Sequence, residues 1–237
     1  MNAIFTYHSL DESGSVISTR PEDFRRQMEA LAASGVKVVP LTEIPMHREA
    51  AAITFDDAFE NFDECAVPVL ERLSLPATVF VVSGYSGGHN NWPTQPPGVP
   101  CLPLMSWSAL RSLPPGISLG AHTITHPDLR ALDEAGMLHE VRDSRGEIEQ
   151  KTGRAVETFA YPYGAVDGRT ANVVREQFAI GCGTRLRYTG PKEDPAVLPR
   201  LDTYYLKSAA WFRNPLGAAA RSYIAVRRML REARQTR

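Results

Sequence analysis

The feature that most constrains this chain is an alternation of short, apolar, β-branched runs with helical patterns. Residues 3–7, 36–39, 52–55, 77–82, 117–120, 158–161 and 179–182 read as buried strands. Between them, residues 21–34 place Phe24, Met28 and Leu31 on one face, with Pro21 at the start and Gly35 just past the end. Residues 62–73, 106–113, 133–152 and 168–177 read as further helices. Strands that alternate with helices imply a parallel sheet with right-handed crossovers. Seven or so such strands predict an α/β fold closed, or nearly closed, into a barrel, whose chemistry sits where strands end and loops begin. Residues 84–104 break the rhythm. They are rich in Gly and Pro, and at that length predict a functional loop or lid rather than a simple connector.

Composition sets the class. The chain has 237 residues, 43% hydrophobic and 22% charged, enough for one well-buried core. A net charge of −1 gives no global case for nucleic-acid binding. No run of about 18 apolar residues is present to span a membrane. The opening MNAIFTYHSLDES lacks the basic and apolar regions of a signal peptide. Cys65, Cys101 and Cys182 are odd in number and far apart, which suits reduced thiols and a cytoplasmic protein.

Four motifs fall at predicted strand ends: Tyr7-His8, Ile53-Thr54-Phe55-Asp56-Asp57, His122-Thr123-Ile124-Thr125-His126 before Pro127, and Ala160-Tyr161-Pro162-Tyr163-Gly164. Adjacent side chains on a strand point to opposite sides, so Asp56 and Asp57 can diverge, one toward a metal and the other toward a bound water. An Asp pair alone reads more readily as a turn or helix cap. Two His separated by three residues can reach one metal. The intervening Thr-Ile-Thr and Pro127 argue for a loop there rather than a helix. With Asp57 they supply three protein ligands, the count of a catalytic rather than a closed structural site. A metal so held acidifies its water, and a nearby carboxylate can take the proton.

Taken in order, these motifs resemble the polysaccharide deacetylase family (carbohydrate esterase family 4, the NodB-homology domain). TFDDAFEN is similar to that family's first motif, GAHTITHPDL to its second and FAYPYG to its third, and the likeness runs from about Ile4 to Asp202. The resemblance implies a distorted (β/α)7 barrel. It implies Asp57, His122 and His126 as ligands of a divalent metal, zinc foremost, with cobalt or a similar ion also suited. It implies Asp56 as general base, Pro162, Tyr163 and Gly164 along the groove, and the Tyr163 backbone on the oxyanion. The implied substrate is an N-acetylated sugar, released as free amine and acetate. Two departures stand out. Ala160 occupies the place of an Arg common in the third motif, and no His follows His139 to serve as the late general acid. His8 is the first candidate for that acid. Arg200 and Asp202 are candidates to orient Asp56, with surface ion pairing the alternative. Trp92, in the long loop, is a candidate sugar contact. A hydrolase of another non-peptide C–N bond, and a carbohydrate-binding protein without efficient catalysis, remain the competing readings.

Residues 1–205 form the expected catalytic barrel and 206–237 a segment of different character. Between 207 and 237 there are eight Lys/Arg and one acid, Glu232, interspersed with Trp211, Phe212, Leu216, Tyr223, Ile224, Met229 and Leu230. This predicts either a basic amphipathic helix lying on an anionic membrane, at the inner face, or a last barrel helix with a solvated tail.

Overall fold

The computed structural model describes residues 1–235. Seven strands form its frame: β1 (Ala3–Tyr7), β2 (Ala50–Phe55), β3 (Ala77–Val81), β4 (Ile117–Ala121), β5 (Thr158–Ala160), β6 (Ile180–Leu186) and β7 (Leu198–Asp202). Each pairs parallel with the next, and β1 closes the ring by pairing with both β2 and β7. The fold is the expected seven-stranded parallel barrel.

Two buried clusters show which side chains point where. Ile4, Ala52, Phe80, Ala160, Cys182 and Leu198 make one cluster, free of the crossover helices. Their neighbours Phe5, Ile53, Val79 and Phe159 belong to another, with Phe24 and Met28 of helix Pro21–Ala32 and Val174 of helix Gly168–Gln177. The first set fills the barrel and the second packs its outside, as period-two alternation requires of strands buried on both faces. Gly120 belongs to the inner set: a Cβ there would lie 2.4 Å from the Phe80 ring, so only glycine leaves Phe80 its place. Extending the inward phase by two residues reaches Asp56 from Thr54, His122 from Gly120 and Asp202 from Arg200. The sequence motifs are thus the last inward positions of their strands.

One expected strand and one unexpected strand exchange roles. Residues 36–39 provide only the spur Lys37–Val38 beside β2, because Pro40 follows and lacks the N–H needed to extend a ladder. The seventh stave is β7, which contains Pro199 and Arg200. Its register against β6 shifts between Leu198 and Arg200, the kind of irregularity that tolerates a proline. The helical stretches expected at 62–73 and 133–152 form, each with one π segment, Phe62–Ala66 and His139–Asp143.

After β7 the chain forms helices Ala210–Arg213 and Ala218–Gln235. Phe212 and Ile224 are buried in the outer core cluster, so this part packs on the barrel. Val226, Met229 and Leu230 face away and are exposed. Residues 236–237 of the expected basic segment lie outside the described residues. Among the described residues no helix is long and apolar enough to cross a membrane.

Candidate metal centre and its cavity

Asp57, His122 and His126, from two different strand ends, converge at the floor of a cavity of about 630 Å³. Asp57 Oδ1 lies 3.4 Å from His122 Nε2 and 3.5 Å from His126 Nε2, and the two nitrogens are 3.2 Å apart. Ligand atoms held about 2.0–2.1 Å from a tetrahedral centre lie about 3.3 Å from one another, so this triangle is the size a metal ion needs. Asp57 Oδ1 is buried with no hydrogen-bond partner, a costly state that a cation relieves. His122 Nδ1 donates to the Ala160 carbonyl at 2.7 Å, which leaves the Nε2 lone pair facing the centre. The site fits a divalent metal.

Burial alone would raise Asp57's pKa, yet His122 and His126 beside it hold it below its ordinary value. His122 also loses by burial, but Asp57 and Asp56 outweigh that and favour its protonated form. Burial pushes His126 down to about 3, so its nitrogen stays available at neutral pH.

The backbone around the triangle is strained. Asp57, Ala58, Thr123, His126 and Tyr163 all have positive φ, between 55° and 71°. Such conformations cost non-glycine residues on the order of 1 kcal/mol or more each and persist where the surroundings impose them. At Asp57 the φ of 71° undoes the strand alternation. Asp56 and Asp57 therefore line one cavity together, rather than diverging across the strand as period-two geometry predicts.

Glu140, absent from the sequence motifs, imposes the His122–His126 loop. Its buried carboxylate accepts from Ile124 N at 2.7 Å, Thr125 N at 2.9 Å and Thr125 Oγ1 at 2.5 Å. It stands on the π segment His139–Asp143, whose extra residue per turn re-aims side chains. Thr123 Oγ1 accepts from His126 N at 3.0 Å within the same loop.

His126 is gripped by rings. Trp92 stacks on it at 4.2 Å and Tyr163 meets it edge-on at 4.6 Å. Trp92 is only 2% exposed: its indole packs against a metal-site histidine and lines the cavity wall. Thr94, two residues on, donates to the His126 carbonyl at 2.9 Å and receives the Tyr163 hydroxyl at 2.8 Å. The long loop is thereby latched over the centre. Tyr163 lines the cavity, Gly164 lines an adjoining one, and Pro162 is buried and lines neither.

Asp56 is locked by Arg200, which reaches it from β7, past the intervening β1. Nη1 donates to Oδ1 at 2.6 Å and Nη2 to Oδ2 at 2.7 Å, both residues fully inside. Burial raises the Asp56 pKa, but the guanidinium wins and holds it far below the usual carboxylate range. Surface pairing is therefore excluded for Arg200, at 1% exposure. This Arg supplies from β7 the charge that Ala160 cannot supply from the third motif. Asp202 takes no part in that lock. Its Oδ1 caps the following turn by accepting from Tyr204 N at 3.0 Å, and its carboxyl lines the cavity. His8 lines the cavity too, with Nε2 3.8 Å from Asp56 Oδ2.

Barrel, buried triangle and locked carboxylate together define a metal-centre α/β barrel of hydrolase type. Residues 43–177 match the polysaccharide deacetylase family, and the chain belongs to it. YxkH of Bacillus subtilis (strain 168) is 26% identical over 175 residues, 70% of this chain and 58% of that one. The poly-beta-1,6-N-acetyl-D-glucosamine N-deacetylase of Staphylococcus aureus (strain MSSA476) is 24% identical over 223 residues, 86% of this chain and 71% of that protein. The chain thus spans between 58% and 71% of the length of these relatives. In fold it is similar to the Streptococcus pyogenes deacetylase PplD in complex with acetate, with a TM-score of 0.74 at 18% identity over 91% of this chain and 95% of that one. BC0361, a polysaccharide deacetylase from Bacillus cereus, gives 0.75 at 20% identity over 94% and 68%.

Proposed function

We propose that the protein hydrolyses the N-acetyl group of an amino sugar to the free amine and acetate, using a divalent metal held by Asp57, His122 and His126. The observation that carries this reading is the metal-sized triangle beside a second, Arg-locked carboxylate at the floor of one cavity. The S. aureus relative's named activity supports the substrate class. Zinc is the proposed ion, since one carboxylate and two imidazoles suit it, although cobalt fits the same donors.

The ion supplies Lewis-acid polarisation of the acyl oxygen and acidifies the attacking water. Asp56 accepts the water's proton, and Arg200 keeps that carboxylate ionised and aimed. The Tyr163 backbone N–H donates to the developing oxyanion. As the C–N bond breaks, His8 delivers a proton to the amine nitrogen from the cavity wall. Trp92 and Tyr163 hold the His126 ring, and Glu140 holds its loop.

We also propose a cytoplasmic setting with peripheral contact at the inner membrane face. Three free thiols suit a reducing compartment, and the exposed Val226, Met229 and Leu230 lie on a helix rich in Arg.

The test is acetate release from a panel of N-acetylated sugars by metal-loaded protein. Release from at least one sugar, abolished by a chelator and restored by metal, is expected. Tight metal binding without acyl release from any of them would overturn the catalytic reading in favour of a binding protein.

A further inference from the structure

A second cavity of about 560 Å³ adjoins the first and shares Tyr163, Thr184 and Arg231 with it. Its charge is one-sided. Arg130, Arg185, Arg228 and Arg231 line it, against Asp128 and Glu232. Arg130 is already paired, donating to Asp128 at 2.6 Å. Arg185 and Arg231 have no carboxylate ion-pair partner among the described residues, and Arg228 has a loose one. Arg231 spends its Nη1 on the neutral Thr184 carbonyl at 2.9 Å, which fixes its guanidinium at the junction of the two cavities. Arg228 Nε is buried without a hydrogen bond and forms only a loose ion pair, 3.8 Å from Glu232 Oε1. The Arg185 side chain meets no partner among the described residues.

A guanidinium is always charged and offers donors in a fixed fork that matches phosphate and carboxylate oxygens. Two of them without a carboxylate partner and a third only loosely paired, around one hollow, make a place for an anion, and its position makes it an extension of the acyl site. We infer that this cavity binds an anionic group, phosphate or carboxylate, carried by the same molecule whose acetamide lies at Asp57, His122 and His126. The inference rests on the deacetylase reading and narrows its substrate: the N-acetylated sugar is not part of a neutral polymer but carries a negatively charged group. Arg228 and Arg231 come from helix Ala218–Gln235, so the C-terminal segment contributes to substrate recognition as well as to packing.

Calorimetric titration of the metal-loaded protein tests this without requiring turnover. The probes are N-acetylglucosamine 1-phosphate, its neutral methyl glycoside, an N-acetylglucosamine–glucuronate disaccharide and inorganic phosphate alone. At low salt at least one anionic sugar is expected to bind about tenfold or more tighter than the neutral glycoside, the ratio one charge-assisted hydrogen bond carries. The phosphate and uronate arms identify which anion the cavity takes. In the Arg185→Ala/Arg228→Ala double variant the ratio should collapse toward one. A ratio near one in the unaltered protein, or one that survives the double variant, overturns the inference. So does inorganic phosphate binding as tightly as the sugar phosphate, which would make the cavity an anion trap unlinked to sugar. Failure of acetate release from every sugar would instead count against the deacetylase reading, and the binding ratio would stand apart from it.

Discussion

At the scale of single residues, the division of labour between the adjacent acids is the core of the mechanism. Asp57 completes the metal triangle, whereas Asp56 faces Arg200 and the cavity. Asp56→Asn should retain metal, measured by mass spectrometry of the desalted protein, while turnover falls by about 10²–10⁴-fold. Arg200→Lys keeps a charge but loses the bidentate grip. Asp56 then becomes a weaker acid with a higher pKa, so the acidic limb of the rate profile should move to higher pH; an unmoved limb would detach Arg200 from the base. Glu140→Ala removes the acceptor of all three bonds and leaves two backbone N–H groups of the loop unpaired. Metal affinity should drop about 10–100-fold, as it does when supporting partners of metal ligands are removed. Asp57, His122 and His126 were legible in the sequence because their spacing is itself the chemistry. Arg200 was legible only as a candidate, since its partner is 144 residues away. Glu140 was not legible: nothing in a run of helical residues tells that one carboxylate faces the amides of a loop 15 and 16 residues back.

At the scale of elements, loop and barrel are coupled through Thr94. Its side chain ties His126 to Tyr163, so the segment 84–104 is a latch on the metal centre as much as a cover. Thr94→Ala should speed amide hydrogen exchange in residues 84–104 and leave the barrel strands protected; uniform protection in both proteins would show that the latch is held elsewhere. The Gly/Pro content announced a functional loop but not which residue it grips. Among the strands, the count of seven and six of its members were legible, while the seventh was not. A valine-rich run stopped by Pro40 makes a spur, and a run carrying Pro199 and Arg200 makes a full stave. Period and hydrophobicity miss such a stave because its buried arginine is satisfied by partners distant in sequence, the Asp56 carboxylate and Thr54 hydroxyl at the end of β2 and the Gly183 carbonyl. The C-terminal helix has two faces, Ile224 inward and Val226, Met229 and Leu230 outward. A Val226→Ser/Met229→Ser/Leu230→Ser variant should lose co-sedimentation with anionic vesicles; equal sedimentation of both proteins would defeat the membrane proposal.

At the scale of the whole molecule, closing the sheet brings strand ends far apart in sequence into one cavity, where burial and the two acids set the titration of the histidines. Asp57 and Asp56 favour a proton on His122, which a metal must displace. His126 is held neutral and needs no such release. Metal affinity should therefore fall as pH drops through the raised His122 value and level off above it, with about one proton released per metal bound in the lower range. The central claim, that hydrolysis depends on a single ion in the Asp57-His122-His126 triangle, is tested most directly by titrating zinc into metal-free protein while acetate release is followed. The rate should climb in proportion to metal, reach its plateau at one equivalent per chain, and stay near zero throughout in the His126→Ala protein. Acetate release that is independent of added metal, or a plateau unaffected by loss of His126, would contradict it.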